Sequence, residues 1–200
     1  MLRGAPWRRF ASFGDSLSAG VGDPTPGYDE LGWPARVERV LRIVNSDLAY
    51  LNTAVVGATT RQAIEAQGRR IVDFAPDLLH LNSGANDIVR RSPDWDQIRA
   101  DLRAMYEWAA RTGALLTVFT LGRAFIVPVF PDWTDRVARL NDITREFGAE
   151  FGAVVVDTWD DPLNDRPNLL SEDGIHFATT GQAVLATLMV KELANRLARS

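Results

Sequence analysis

The segment Phe10-Ala11-Ser12-Phe13-Gly14-Asp15-Ser16-Leu17-Ser18-Ala19-Gly20 passes from a short apolar run into a turn of glycine, aspartate and serine. A run of that length reads as a buried β-strand, and the small polar residues after it as the strand's exit. The same change recurs along the chain. β-rich segments at 10–13, 49–56, 78–81, 115–121 and 153–156 are mostly too apolar to carry a solvent-facing side, which predicts parallel strands covered on both faces. Between them the apolar residues take helical spacing. Residues 33–43 and their flank carry Val37, Val40, Leu41 and Val44 on one face, and residues 95–110 repeat Ile98, Leu102, Met105 and Trp108 or Ala109. Similar patterns cover 61–74, 135–147 and 180–197. Strands alternating with helices in this way predict an α/β protein, a three-layer α/β/α sandwich with right-handed crossovers.

Composition narrows the possible functions. The chain has 200 residues, 46% hydrophobic and 24% charged, so disordered, collagen-like and coiled-coil classes are excluded. No repeat or linker-like stretch interrupts it, and a single domain over residues 1–200 is expected. Lys and Arg number 22 against 26 Asp and Glu, a net charge of −4 with the basic residues scattered, so neither nucleic acid nor an anionic membrane is the expected partner. The absence of cysteine excludes disulfides, thiolate metal sites and a cysteine nucleophile. His80 and His176 are the two histidines, without zinc-binding spacing, and no metal is expected. The apolar runs fall short of the roughly 18 residues of a membrane span. Arg8-Arg9 could open a twin-arginine signal, but Gly14-Asp15 cuts off the apolar stretch behind it, so a cytoplasmic location is expected. Lys191 is the only lysine; biased codon usage accounts for the arginine excess, with Arg61, Arg69, Arg90 and Arg123 near the expected crevice.

In open parallel sheets ligands bind outside the carboxyl ends of the strands. The residues there are Gly14 to Gly20, Val56-Gly57-Ala58-Thr59-Thr60 and Ser83-Gly84-Ala85-Asn86-Asp87, with Asp173-Gly174-Ile175-His176 before the last helix. They contain what a serine nucleophile requires. Ser16 can project its hydroxyl from the first turn. His176, three residues after Asp173, can take the proton while Asp173 orients its ring. The N–H groups of Ser16 and Gly57 and the side-chain amide of Asn86 can donate to an oxyanion. Each residue also has a structural reading: Ser16 and Asp173 as helix caps, Gly57 as a turn glycine, Asn86-Asp87 as an Asx-turn. Asp15 and Asp87 read as turn-fixing carboxylates, although Asp15 with Mg²⁺ would suit phosphoryl transfer. His80, flanked by leucines, reads as a core histidine satisfied by a hydrogen bond.

Gly14-Asp15-Ser16-Leu17, Asn52 with Gly57 five residues later, Gly84-Ala85-Asn86-Asp87 and Asp173-Gly174-Ile175-His176 together resemble the four blocks of the SGNH, or GDSL-type, hydrolases, in order and rough spacing. The resemblance implies a flavodoxin-like five-stranded sheet of order 2-1-3-4-5. It implies Ser16 as nucleophile, His176 and Asp173 as base and orienter, an oxyanion hole of Ser16, Gly57 and Asn86, and no cofactor. Small bacterial members with thioesterase, lysophospholipase or arylesterase activity are the closest general likeness. The sequence departs from the family at Phe177, where proline is common, and at the apolar Ala54-Val55-Val56.

The expected activity is hydrolysis of a small acyl or aryl ester, or a thioester, through an acyl-enzyme, by a monomer or homodimer. The alternatives are a carbohydrate O-acetylesterase and a non-catalytic small-molecule-binding module. The connection after the fourth strand is unusually apolar, and Phe125, Ile126, Val127, Phe130 and Trp133 are expected to line an acyl or aryl pocket, or else to pack on the core or form a dimer surface. Trp33, Trp95 and Asp29-Glu30 could add to its rim.

Overall fold

Alternation along the strands sorts the apolar residues onto the two faces of one sheet. The computed structural model describes residues 2–199. In chain order its elements are β1 (Arg9–Gly14), α1 (Ser16–Ala19), α2 (Trp33–Val44), β2 (Ala49–Asn52), α3 (Thr60–Phe74), β3 (Leu78–Asn82), α4 (Ala85–Ile88), α5 (Trp95–Ala110), β4 (Leu115–Phe119), α6 (Trp133–Glu150), β5 (Val154–Val156), a 3₁₀ turn (Pro162–Asp165) and α7 (Thr179–Ala198). All strand pairs are parallel, in the order β2-β1-β3-β4-β5. Parallel neighbours need crossovers, and the helices supply them on both sides.

On one face Phe10, Leu78, Phe119 and Val156 meet Trp33, Val37 and Leu41 of α2 and Leu185, Met189 and Leu193 of α7. On the other, Ala11, Phe13, Leu79, Leu81, Leu116 and Val118 meet α3, α5 and α6 through residues such as Ile71, Met105, Val137 and Phe147. The central strand β3 is buried along its whole length. Truncating one of its leucines to alanine would cost about 2–5 kcal/mol through lost transfer energy and the cavity left behind.

The predicted boundaries differ from the structure mainly where the site is built. β2 ends at Asn52 rather than at residue 56: Asn52 Oδ1 accepts from the Ala54 N–H at 3.0 Å and ends the regular strand, although the Thr53 and Val55 N–H groups still donate to the Ser12 and Gly14 carbonyls of β1. Val55 and Val56 are left exposed beyond it. β4 ends at Phe119 rather than at residue 121. α6 starts at Trp133, two residues earlier than the apolar period suggested. α1 and α4, one turn each, are too short to show a period, and both lie directly behind strands at the carboxyl edge. Among the described residues no helix is long and apolar enough to cross a membrane.

Candidate active site

The turn after β1 is fixed before any side chain on it acts. Gly14 has φ +137°, and a Cβ there would lie 1.8 Å from the carbonyl oxygen of Asn82, so only glycine lets β1 and β3 close at this level. Gln67, buried on α3, holds the same residue from the other side. Its Oε1 accepts from the Gly14 N–H at 3.0 Å and its Nε2 donates to the Gly14 carbonyl at 2.7 Å. Asp15 caps α1 by accepting from the Leu17 N–H at 3.0 Å. Ser16 therefore occupies the first helical position, where a backbone N–H has no partner within the helix.

The turn before α7 is held by hydrogen bonds of its own and by Asp23, which accepts from the Glu172 N–H and donates to Ser171 Oγ, both at 2.8 Å. Asp173 Oδ1 accepts from the N–H groups of Ile175 at 2.8 Å and His176 at 3.0 Å, while Ser171 N–H donates to the His176 carbonyl at 2.7 Å. This leaves Asp173 Oδ2 2.6 Å from His176 Nδ1, and His176 Nε2 2.8 Å from Ser16 Oγ, across 160 positions of sequence. With Nδ1–H directed at the carboxylate, Nε2 is the free acceptor facing the serine hydroxyl.

Opposite this chain of contacts stand hydrogen-bond donors from the neighbouring strand exits. Gly57 has φ +78° in the turn behind β2, and among the described residues neither its N–H nor that of Ser16 meets a protein acceptor. Asn86 Nδ2 on α4 rests on the Ala58 carbonyl at 3.1 Å and, more loosely, on Asp15 Oδ2 at 3.4 Å. These contacts fix which end of the amide is the donor. Ser16, Gly57, Asn86 and His176 line one cleft of about 220 Å³.

The carboxyls around the site differ sharply. Burial pushes Asp15 up to about 7 against the hydrogen bond from Leu17, with the nearby Asp87 adding to the rise and His176 opposing it. Burial also raises Asp87, which accepts from the N–H and hydroxyl of Thr60 at 3.0 and 3.1 Å. For Asp173 partial burial acts upward, but the hydrogen bonds from His176 and Ile175 prevail and hold it near 2.

The expected pocket needs correction. Of the five residues proposed for it, Phe125 and Val127 line the cleft. Trp133 does not: as the first residue of α6 it is turned into the core, its indole N–H donating to the Phe125 carbonyl at 2.8 Å. Phe130 stacks on Trp133 under the Arg136 guanidinium, and Ile126 is 53% exposed outside the cleft. The rim residues also lie elsewhere. Trp33 is buried, Trp95 carries the Arg139 guanidinium and Asp29 pairs with Arg39. Arg61, Arg69 and Arg123 pair with Asp101, Asp73 and Asp165.

The sequence reading missed Leu17, Val56, Val89 and Ile175 as cleft walls, although the apolar Ala54-Val55-Val56 was a visible sign. It also missed Gln67, whose signal was a polar residue spaced four from Ala63 and four from Ile71 on a buried stripe. His80 meets its expectation halfway: Nδ1 lies 3.1 Å from Thr117 Oγ1, but among the described residues Nε2 has no partner. Among the described residues no three His, Asp or Glu side chains gather as a metal-binding set.

The sequence model of the GDSL-like lipase/acylhydrolase family matches residues 12–184. An arylesterase of Vibrio mimicus is 24% identical over 185 residues, covering 92% of this chain and 87% of its own. Two solved structures share the fold. A lipase/acylhydrolase from Enterococcus faecalis has a TM-score of 0.72 at 22% identity, over 94% of this chain and 96% of that one. An acetylxylan esterase from Geobacillus stearothermophilus has a TM-score of 0.72 at 20% identity, over 96% of each chain.

Proposed function

The chain belongs to the GDSL-like lipase/acylhydrolase family and is an ester hydrolase, and we propose that Ser16, His176 and Asp173 carry the reaction. The observation that supports this most is the unbroken contact from Asp173 Oδ2 through His176 to Ser16 Oγ, at 2.6 and 2.8 Å. Ser16 Oγ attacks the carbonyl carbon of the ester while His176 Nε2 accepts the hydroxyl proton. Asp173 keeps the ring in the tautomer that leaves Nε2 open and stabilises the imidazolium that forms. The tetrahedral oxyanion takes hydrogen bonds from the N–H groups of Ser16 and Gly57 and from Asn86 Nδ2, which gives up its loose contact with Asp15 and keeps the one with Ala58. Collapse breaks the ester C–O bond, and the alcohol leaves with the proton from His176. Water then attacks the acyl-enzyme, giving its proton to His176, and the acid is released as Ser16 regains its hydrogen.

The cleft favours an acyl or aryl group over a sugar. Its walls of Leu17, Val56, Val89, Phe125, Val127 and Ile175 offer no hydrogen bonds to ring hydroxyls. The reaction needs no partner beyond a small-molecule ester or thioester and water, and a cytoplasmic setting fits a chain without cysteine. Asp15 does not suit metal-assisted phosphoryl transfer: it is fully buried, with its oxygens turned to Leu17 and Asn86. A fluorophosphonate probe tests the mechanism. Labelling of the wild-type protein that is lost in Ser16→Ala and indifferent to EDTA is expected; undiminished labelling of Ser16→Ala would rule out this nucleophile. A panel of acyl esters, thioesters and acetylated sugars tests the substrate class: acyl chains longer than acetyl, or aryl esters, are expected to be preferred, and a sharp preference for acetylated sugars would overturn this reading.

A further inference from the structure

Beneath the cleft, on the side of the sheet covered by α2 and α7, lies a second and more enclosed chamber. Trp33, Phe119, Phe177 and Leu185 wall it, and it shares Leu17 and Phe125 with the cleft that holds Ser16. About 20 Å³ is open to a water-sized sphere, against about 220 Å³ in the cleft. His80 also borders the chamber. It is fully buried, with its ring 4.5 Å from that of Trp33 and, among the described residues, its Nε2 unpartnered. Burial drives its pKa down to about 3, so the ring is neutral at ordinary pH. Asn82, Thr120 and Thr158 also line it, but the surface it exposes is almost wholly apolar, and those atoms lack contact partners across the gap. Hydrocarbon entering it gains both transfer energy and dispersion contacts. A polyol would leave most of its hydroxyls unpaired.

The partition between the two spaces is thin. Leu17 directly follows Ser16, and its backbone is tied at both ends, N–H to Asp15 and carbonyl to the Trp33 indole N–H at 2.9 Å. Its side chain is the part left to turn. Phe125 sits on a turn closed from its N–H to the Gly122 carbonyl at 3.2 Å.

We propose that this chamber is an acyl-tip subsite. It receives the hydrocarbon end of a straight, medium-length acyl chain whose carbonyl lies at Ser16, admitted when the Leu17 and Phe125 side chains swing aside. The proposal rests on the hydrolase reading above. The occupant is the enzyme's own substrate because the chamber adjoins the nucleophile's cleft through shared walls.

Leu185, on α7, borders the chamber and not the cleft, so Leu185→Phe fills the subsite from behind. Two measurements test it: kcat/KM for p-nitrophenyl esters from acetate to dodecanoate, and calorimetric binding of decanoate to the Ser16→Ala protein. With Leu185→Phe the decanoate-to-acetate ratio of kcat/KM should fall about tenfold, and in the Ser16→Ala background the decanoate Kd should rise about tenfold. Leu17→Ala, which removes the partition, should move the preferred chain length upward. An unchanged ratio and Kd in folded Leu185→Phe overturn the subsite. Should that variant fail to fold, Leu17→Ala decides, and an unmoved preference overturns it. Loss of all ester hydrolysis with Leu185-dependent decanoate binding would sink the hydrolase reading and leave the subsite standing. Hydrolysis with Leu185-independent chain preference would do the reverse.

Discussion

The two turns that meet in the cleft are built on different plans. The turn of residues 14–20 is buried and positioned from outside, by the Asn82 backbone against Gly14 and by Gln67 from α3. The turn of residues 171–177 is partly exposed and is held both from within and from a distant loop: Asp173 gathers the N–H groups of Ile175 and His176 before it reaches the ring, while Asp23 accepts from the Glu172 N–H and donates its own N–H to Ser171 Oγ, both at 2.8 Å. Each carries an aspartate close to Ser16 or His176. Asp15 is fully buried and pushed up to about 7, whereas Asp173, with its side chain 45% exposed, is held near 2. The same chemical group thus favours its neutral form on one side of Ser16 and its charged form on the other. Solvent access and the number of N–H donors make the difference. The Ser16 turn is embedded between two central strands and α3, while the His176 turn is pinned to the loop of Asp23 and completed by Asp173 within it.

Substitutions at the point of contact should have the largest effect. Ser16→Ala and His176→Ala should each lower kcat by about 10⁵ or more, because neither half of the pair works without the other. Circular dichroism should show both variants folded. Asn86→Ala should lower kcat about 10²- to 10³-fold with KM little changed, since its amide acts on charge that exists only in the transition state. An unchanged kcat would remove Asn86 from the mechanism. Asp173→Ala should be milder than His176→Ala by about tenfold or more, because the ring keeps its contact with Ser16. Steady-state kinetics giving equal losses would erase the contrast between orienter and base.

An effect on stability rather than turnover separates the two carboxyls directly. Asp15 keeps its proton in the folded chain up to about pH 7, while an ordinary aspartate loses it near 3.8. As pH rises from about 4 to 7 the unfolded state alone is ionised, so stability falls across that window, by about 4 kcal/mol at most. Asp15→Asn, which can still accept from the Leu17 N–H, should flatten this slope and unfold at higher urea than wild type at about pH 8. Asp173 acts with the opposite sign. Its contribution is present above the unfolded pKa and is lost as pH falls through about 2, so urea midpoints of Asp173→Ala should differ from wild type least in strong acid.

Much of this was legible in the sequence because strand and helix periods are long-range signals. The five strands, their order and the five long helices follow from apolar spacing and from the resemblance of the four blocks. The juxtaposition of Ser16 with His176 was a consequence of topology, since both segments lie at the carboxyl edge of one sheet. What escaped was local. Trp133 looked like a pocket wall because its flank is apolar, but helix α6 begins at it and rotates it inward. Val55 and Val56 looked like strand residues because their composition is β-prone. At Asn52 a side-chain hydrogen bond to the Ala54 N–H ends the regular strand, and no periodicity displays it. The chamber beside His80 is formed by residues from seven separate segments, and no sequence window contains it.

The grip of Gln67 on Gly14 sets an order of assembly. Fifty-three positions separate them, and both hydrogen bonds form only when α3 has docked beside β1. During refolding the serine's turn cannot take its final shape from neighbouring residues alone. Recovery of esterase activity therefore requires α3 to be seated on the sheet, and the appearance of helical signal alone does not supply it.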